Sequence, residues 1–177
     1  MTQTSLLADV KPAIEFSVAG LPITQGSKTA RVVGRRIQTK YGPAVLNARA
    51  VLTEQSDMKS KTRPSGALTA WRGKVAALAA AQMAGAGFWD CYVELSCEFV
   101  IPRSPSHYTK VGRVLTKSAP AYPSYPDISK MVRAIEDAMT GVVYRDDGLI
   151  VRYGKMGKRY AETLDSVGGV YIGVVQI

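Results

Sequence analysis

Residues Ala13 to Gly20 (AIEFSVAG) alternate between apolar and polar positions, the pattern of a half-buried strand. The next stretch, Leu21 to Lys28 (LPITQGSK), reads as a turn. Arg31 to Ile37 predicts a second strand and Ala44 to Ala48 a weaker third, and Ser56 to Ser65 is polar and predicts a mobile connection. Leu68, Trp71, Val75, Leu78 and Gln82 then fall on one helical line among many alanines. This predicts a helix to Met83, closed by Gly85 and Gly87. The clearest strand is Cys91 to Ile101. Val93, Leu95, Cys97 and Phe99 point one way, and Tyr92, Glu94, Ser96, Glu98 and Val100 the other. Pro102 to Pro126 holds five prolines and no strong period, which predicts a long loop of the kind that carries function. Leu149 to Tyr153 and Gly169 to Ile177 predict the last strands.

After the loop a second helix is predicted. Ile128, Met131, Val132, Ile135, Ala138 and Met139 form its apolar face. Asp127, Lys130, Ala134 and Asp137 form a second line, and Ser129, Arg133, Glu136 and Thr140 a third. Gly141 ends the helix, and a short return leads to Asp146, Asp147 and Gly148. Together the elements predict an α+β fold: a single domain over 1–177 with a mixed β-sheet packed on two main helices, and residues 1–12 as a flexible N-terminus. The pattern does not contain the strand order.

Hydrophobic residues make up 46% of the chain and charged ones 21%, which predicts a globular fold rather than disorder. No apolar run approaches the roughly 20 residues of a membrane span. The start, MTQTSLLADVKP, lacks the basic and apolar regions of a signal peptide. Cys91 and Cys97 would share one strand face, too far apart to bridge, so they predict buried free thiols in a reducing cytosol.

Charge changes the picture more. The net charge is +9, and fifteen of the 23 basic residues lie in three stretches without any acid: Phe16 to Thr53, Met58 to Trp89 and Phe99 to Pro126. That layout predicts a phosphate-binding surface built from several loops. Against it stand Asp127 and the pair Asp146–Asp147. Asp127 could cap the helix, and the pair could be an exposed turn. If the helix start and the end of the return lie side by side, the carboxylates would converge to bind Mg²⁺ through oxygen. Basic loops around an acidic pocket suit a phosphodiester nuclease.

The segment PDISKMVRAIEDAMTGVVYRDDGLIV resembles the core motif of RusA-type Holliday-junction resolvases, which are common in phages and prophages. That motif runs D-x-D followed by N or K, a helix ending in D-A-L-T, a short hydrophobic return, then D-D-x-Q-V. Asp127, the run Asp137-Ala138-Met139-Thr140 and the pair Asp146-Asp147 match it with the right separations. GLPITQGSKT, TAWRGKV, RSPSHY and the late KRY also look like those of phage members. Ser129 stands where the family has its second Asp, Arg133 where it often has a functional Lys, and Leu149 where it has Gln.

The resemblance implies a Mg²⁺-dependent endodeoxyribonuclease, with Mn²⁺ as an alternative ion, acting as a homodimer on four-way or branched DNA. Asp127, Asp146, Asp147 and the Ser129 position would hold the metal, with Lys130 and Arg133 as catalytic cations. Lys28, Arg31, Arg35, Arg36, Lys40, Arg103, Lys110, Arg113 and Lys117 would hold DNA, with His107 and Tyr108 touching a base or the backbone. A cytoplasmic protein encoded by a phage or prophage is implied. Ser129 leaves three accounts open: an inactivated chain, compensation by another acid such as Glu98, or a weak enzyme with water in the gap. Two other classes stand beside the nuclease: a non-catalytic binder of branched DNA, and a phage DNA-binding protein without nuclease ancestry.

Overall fold

Strand β4 (Val93–Ile101) sets the architecture, because its alternation gives it one wholly apolar face. Val93, Leu95, Cys97 and Phe99 are buried on that face, and Glu94, Ser96 and Glu98 lie on the other. The computed structural model describes residues 13–25, 28–39, 42–54, 66–111, 113–163 and 166–177. The expected flexible N-terminus (1–12), the connection Ser56 to Ser65 and Lys40 lie outside them.

On one side β4 pairs antiparallel with β6 (Gly169–Gln176), and β1 (Ala13–Ala19) pairs antiparallel with β6 in turn. On its other side β4 pairs in parallel with β5 (Ile150–Tyr160). The sheet is therefore mixed and runs β1-β6-β4-β5. Helices α1 (Ala67–Met83) and α2 (Ile128–Met139) cover its apolar face in the expected α+β arrangement. A parallel neighbour requires a crossover, and residues 102–149 supply one with α2 inside it. As a result α2 runs opposite to β5: Pro126, before the helix, meets Lys158 late in β5, and Glu136, near its end, meets Tyr153 early in β5.

Several elements differ from expectation. The strands expected at Arg31 to Ile37 and Ala44 to Ala48 are the middle of a longer hairpin, β2 (Lys28–Thr39) and β3 (Gly42–Glu54), which forms its own two-stranded sheet. β5 continues seven residues past Tyr153, because backbone pairing with β4 persists although its outward residues are polar. The buried line of α1 is Leu68, Trp71, Val75, Ala79 and Met83. Leu78 and Gln82, expected on it, are exposed, since alanines on every side of this helix leave little contrast between faces. Cys91 precedes β4 and is half-buried, so only Cys97 lies on the buried face, and both thiols are free.

The TAWRGKV segment fastens the helices. Arg72 pairs with Asp137 across α1 and α2 at 2.5 Å, and Lys74 donates to the Ala19 carbonyl of β1 at 2.8 Å. Among the described residues no helix is long and apolar enough to cross a membrane. Phe99→Ala empties the centre of the core and is expected to lower unfolding free energy by about 3–5 kcal/mol. Leu78→Ala, on the exposed side, is expected to change it by about 0.5 kcal/mol or less. Urea denaturation of the two variants checks both values.

Candidate functional site

The start of α2 is anchored by two of the segments singled out in the sequence. Lys158, in KRY, donates to the carbonyls of Ser124 and Pro126, each at 2.8 Å. The Gln25 N–H, in LPITQ, donates to the Lys130 carbonyl at 3.1 Å. Asp127 occupies the N-cap position with extended backbone, yet its side chain makes no cap hydrogen bond. Its carboxylate instead pairs with Lys130 at 3.2 Å, with both side chains more than half exposed. Such a pair contributes only about 0.2–0.5 kcal/mol, so the carboxylate is easily released to another cation.

The return after α2 is tightly fixed. Gly141 takes φ +74°, a left-handed conformation that favours glycine, and its N–H donates to the Tyr144 carbonyl at 2.7 Å. Tyr144 is fully buried and its hydroxyl donates to the Glu136 carbonyl at 3.2 Å. Trp89 clasps the return from both sides, donating to Val143 at 2.8 Å and accepting from Arg145 at 3.1 Å. Asp146 then caps a short 3-10 turn, Asp147–Leu149, by accepting from the Gly148 N–H at 2.9 Å. The turn reading therefore holds for Asp146. Asp147 is exposed and makes no side-chain hydrogen bond or ion pair among the described residues.

The expectation that the helix start and the end of the return lie side by side is not met. Twelve residues of α2 separate them, a rise of about 18 Å. Among the described residues no three His, Cys, Asp or Glu side chains gather where a metal ion could sit. The donors suit a hard divalent cation in kind, being oxygen only, but they do not form one cage within the chain.

What α2 does present is its third line. Ser129, Arg133 and Glu136 line a groove of about 450 Å³ against Tyr153 and Met156 of β5. Arg133 is exposed there and has no acidic partner among the described residues. Tyr153 donates to the Glu136 carboxylate at 2.5 Å. That bond, then partial burial and the charges of Glu136 and Asp147, push the Tyr153 hydroxyl up to about 12. Asp147 thus lies within electrostatic reach of this end of the groove. Glu98 cannot fill the gap left by Ser129. It lies on the sheet face away from the helices, where Lys155 at 2.5 Å and Arg159 at 2.7 Å hold it and keep its carboxyl below the usual range.

The expected DNA-binding cations are spread widely. Lys28, Arg31 and Arg36 occupy β2 positions opposite Glu54, Val51 and Val45, and Arg35 on the same strand is exposed. Lys40 lies outside the described residues. Lys110, Arg113 and Lys117 are exposed on the segment after β4. Arg103 is stacked over the Tyr160 ring at 4.1 Å from its centroid, and His107 meets the same ring edge-on at 5.4 Å. Tyr108 is half-buried and bridges to Leu115.

A comparison with known protein families matches residues 42–173 to Endodeoxyribonuclease RusA. The chain belongs to the RusA endodeoxyribonuclease family. A search of curated proteins returned no match. The RusA match spans β3 to β6 and so contains every candidate acid and the whole of the α2 crossover. Sequence reasoning passed over three residues that shape the site: Glu136, Tyr153 and Lys158. Glu136 was visible on the Ser129–Arg133 line, and Lys158 within KRY. Nothing in the strand pattern distinguished Tyr153.

Two measurements separate the acids of this RusA chain. Asp137→Ala strands half-buried Arg72 and is expected to cost about 1–3 kcal/mol of stability. Asp147→Ala is expected to cost less than about 0.5 kcal/mol. Thermal unfolding of both variants tests this. Ultraviolet titration of the chain against Tyr153→Phe should reveal one tyrosine ionising near pH 12. With its folded value raised, Tyr153 contributes stability that is complete below the ordinary tyrosine range and is lost as pH rises toward 12. Glu136→Gln should return that ionisation toward the ordinary range.

Proposed function

We propose that this RusA-family chain is a structure-selective endodeoxyribonuclease that resolves Holliday junctions by symmetric nicks, acting as a homodimer with Mg²⁺, or Mn²⁺ in its place. A two-fold dimer would present two equivalent sites to a branched substrate with matching symmetry. The observation that carries the reading is Asp147, an acid left unpartnered in a strongly basic chain, at the position where the family motif has its acidic pair. An exposed carboxylate with no structural partner is open to a divalent cation.

Mg²⁺, when bound, supplies charge neutralisation on the phosphate and activation of water. Asp147 is its first candidate ligand, with Asp146 beside it, and Asp127 serves the far end of α2 once Lys130 releases it. Among the described residues these acids form no common cage in one chain. Ser129 offers only a neutral hydroxyl. Arg133 stays charged and cannot exchange a proton near neutral pH, so its part is to hold phosphate. Lys130 is the second cation at the helix start. Basic residues of the hairpin and of the segment after β4 hold the arms through the backbone, so recognition rests mainly on junction shape. The setting is the cytoplasm of a bacterial host, with the gene carried by a phage or prophage.

Ser129 and the separation of the acids favour one second reading, a binder of branched DNA that no longer cuts. A labelled four-way junction in Mg²⁺ decides between them. The chain should introduce paired nicks, and Ser129→Asp should cut faster. Asp147→Asn should abolish cutting and leave binding intact. If neither the chain nor Ser129→Asp cuts although both bind, the binder reading replaces the nuclease.

A further inference from the structure

Three of the segments that resemble those of phage members meet in one place: LPIT, RSPSHY and KRY. Together with the loop just before α2 they line one open cavity of about 780 Å³. That volume is in the range of a small-molecule or cofactor site, roughly 300–1,000 Å³. Its walls are mostly apolar, and no acid lines it. Its polar and aromatic groups are few and specific. Arg103 lies over the Tyr160 ring and is steadied by a bond to the Pro120 carbonyl at 3.0 Å. His107 packs edge-on against the same ring, and its Nδ1 is buried without a partner. Tyr125 is 74% exposed at the cavity, two residues before Asp127.

We propose that this cavity takes one unstacked nucleotide of the branched DNA, with its base against Tyr125 and its phosphate toward Arg103. The proposal rests on the reading of the chain as a protein of branched DNA. Aromatic faces beside a guanidinium are the chemistry that holds a single-stranded nucleotide. The absence of acids in the lining leaves the phosphate unopposed. A branch point is also where a base leaves its stack at least cost. The cavity shares Pro126 with the start of α2, so the bound nucleotide lies next to Asp127 on the same strand path.

The test is a binding measurement in EDTA, where no cutting occurs. Four-way junctions are made with one base at a time removed through the branch point, and anisotropy titrations are run with the chain, Tyr125→Ala and Tyr122→Ala. Tyr122 is an equally exposed tyrosine of the same loop that does not line the cavity. Tyr125→Ala should weaken binding of the intact junction about tenfold. That loss should vanish on the junction lacking the base that enters the cavity, and Tyr122→Ala should change neither. An equal loss for Tyr125→Ala on every junction, or no loss at all, overturns the pocket. If the unaltered chain binds junctions no better than linear duplex, the branched-DNA reading falls and the pocket falls with it. Clear junction preference without any coupling to Tyr125 removes the pocket alone.

Discussion

The apolar face that α2 buries against strand β4 is the contact on which every candidate group depends. Met131, Ala134, Ile135 and Met139 are fully buried in one core with Val93, Leu95, Cys97 and Phe99. Each large side chain in that layer contributes about 1.5–3 kcal/mol. The contact fixes the rotation of the helix, which turns Ser129, Arg133 and Glu136 toward Tyr153 and Met156. It also fixes the direction of the helix, because α2 lies in the crossover between two parallel strands. Asp127 is thereby sent to one end of the sheet and Asp147 to the other.

Much of this was legible in the sequence wherever one face of an element is apolar and the other polar. Strand β4 and helix α2 have that contrast, and their burial follows it at most positions; Val100, expected on the outer face, and Ala134, expected on a polar line, are buried, and Ile128 is only half-buried. Helix α1 lacks it, so its existence was clear and its buried line was not. The hairpin β2–β3 and the second half of β5 were read short, because backbone pairing continues past the point where side chains stop alternating. The position of each acid was legible, and so was the family. Their arrangement was not, because spacing along a chain does not say on which ends of a helix two loops emerge.

The acids sort themselves once their partners are known. Between Asp90 and Asp147, Asp90 is held by Arg145, Glu94 by Arg152, Glu98 by Lys155 and Arg159, and Asp137 by Arg72. Glu136 accepts from Tyr153, Asp146 from its own turn, and Asp127 pairs weakly with Lys130. Asp147 alone in this stretch has no partner among the described residues. Glu136 and Asp146 also lack a cation, but each accepts a hydrogen bond, so Asp147 is the acid of this stretch left open. A motif match alone ranks Asp137 and Asp147 together, and the structure separates a fastener from an unpartnered acid.

The Ser129 departure is best understood together with its neighbour Arg133. The two residues lie four apart on one face of α2, the spacing at which a carboxylate and a guanidinium pair. With Asp at position 129, Arg133 would be partly neutralised by its neighbour. With Ser there, the guanidinium keeps its full charge in a groove whose one acid, Glu136, is already engaged by Tyr153. Arg in place of Lys keeps the positive charge, so it is the loss of the acid at 129 that moves the groove toward holding an anion and away from holding a cation. A groove of that charge favours an anion over a cation at the place where the family motif has an acid.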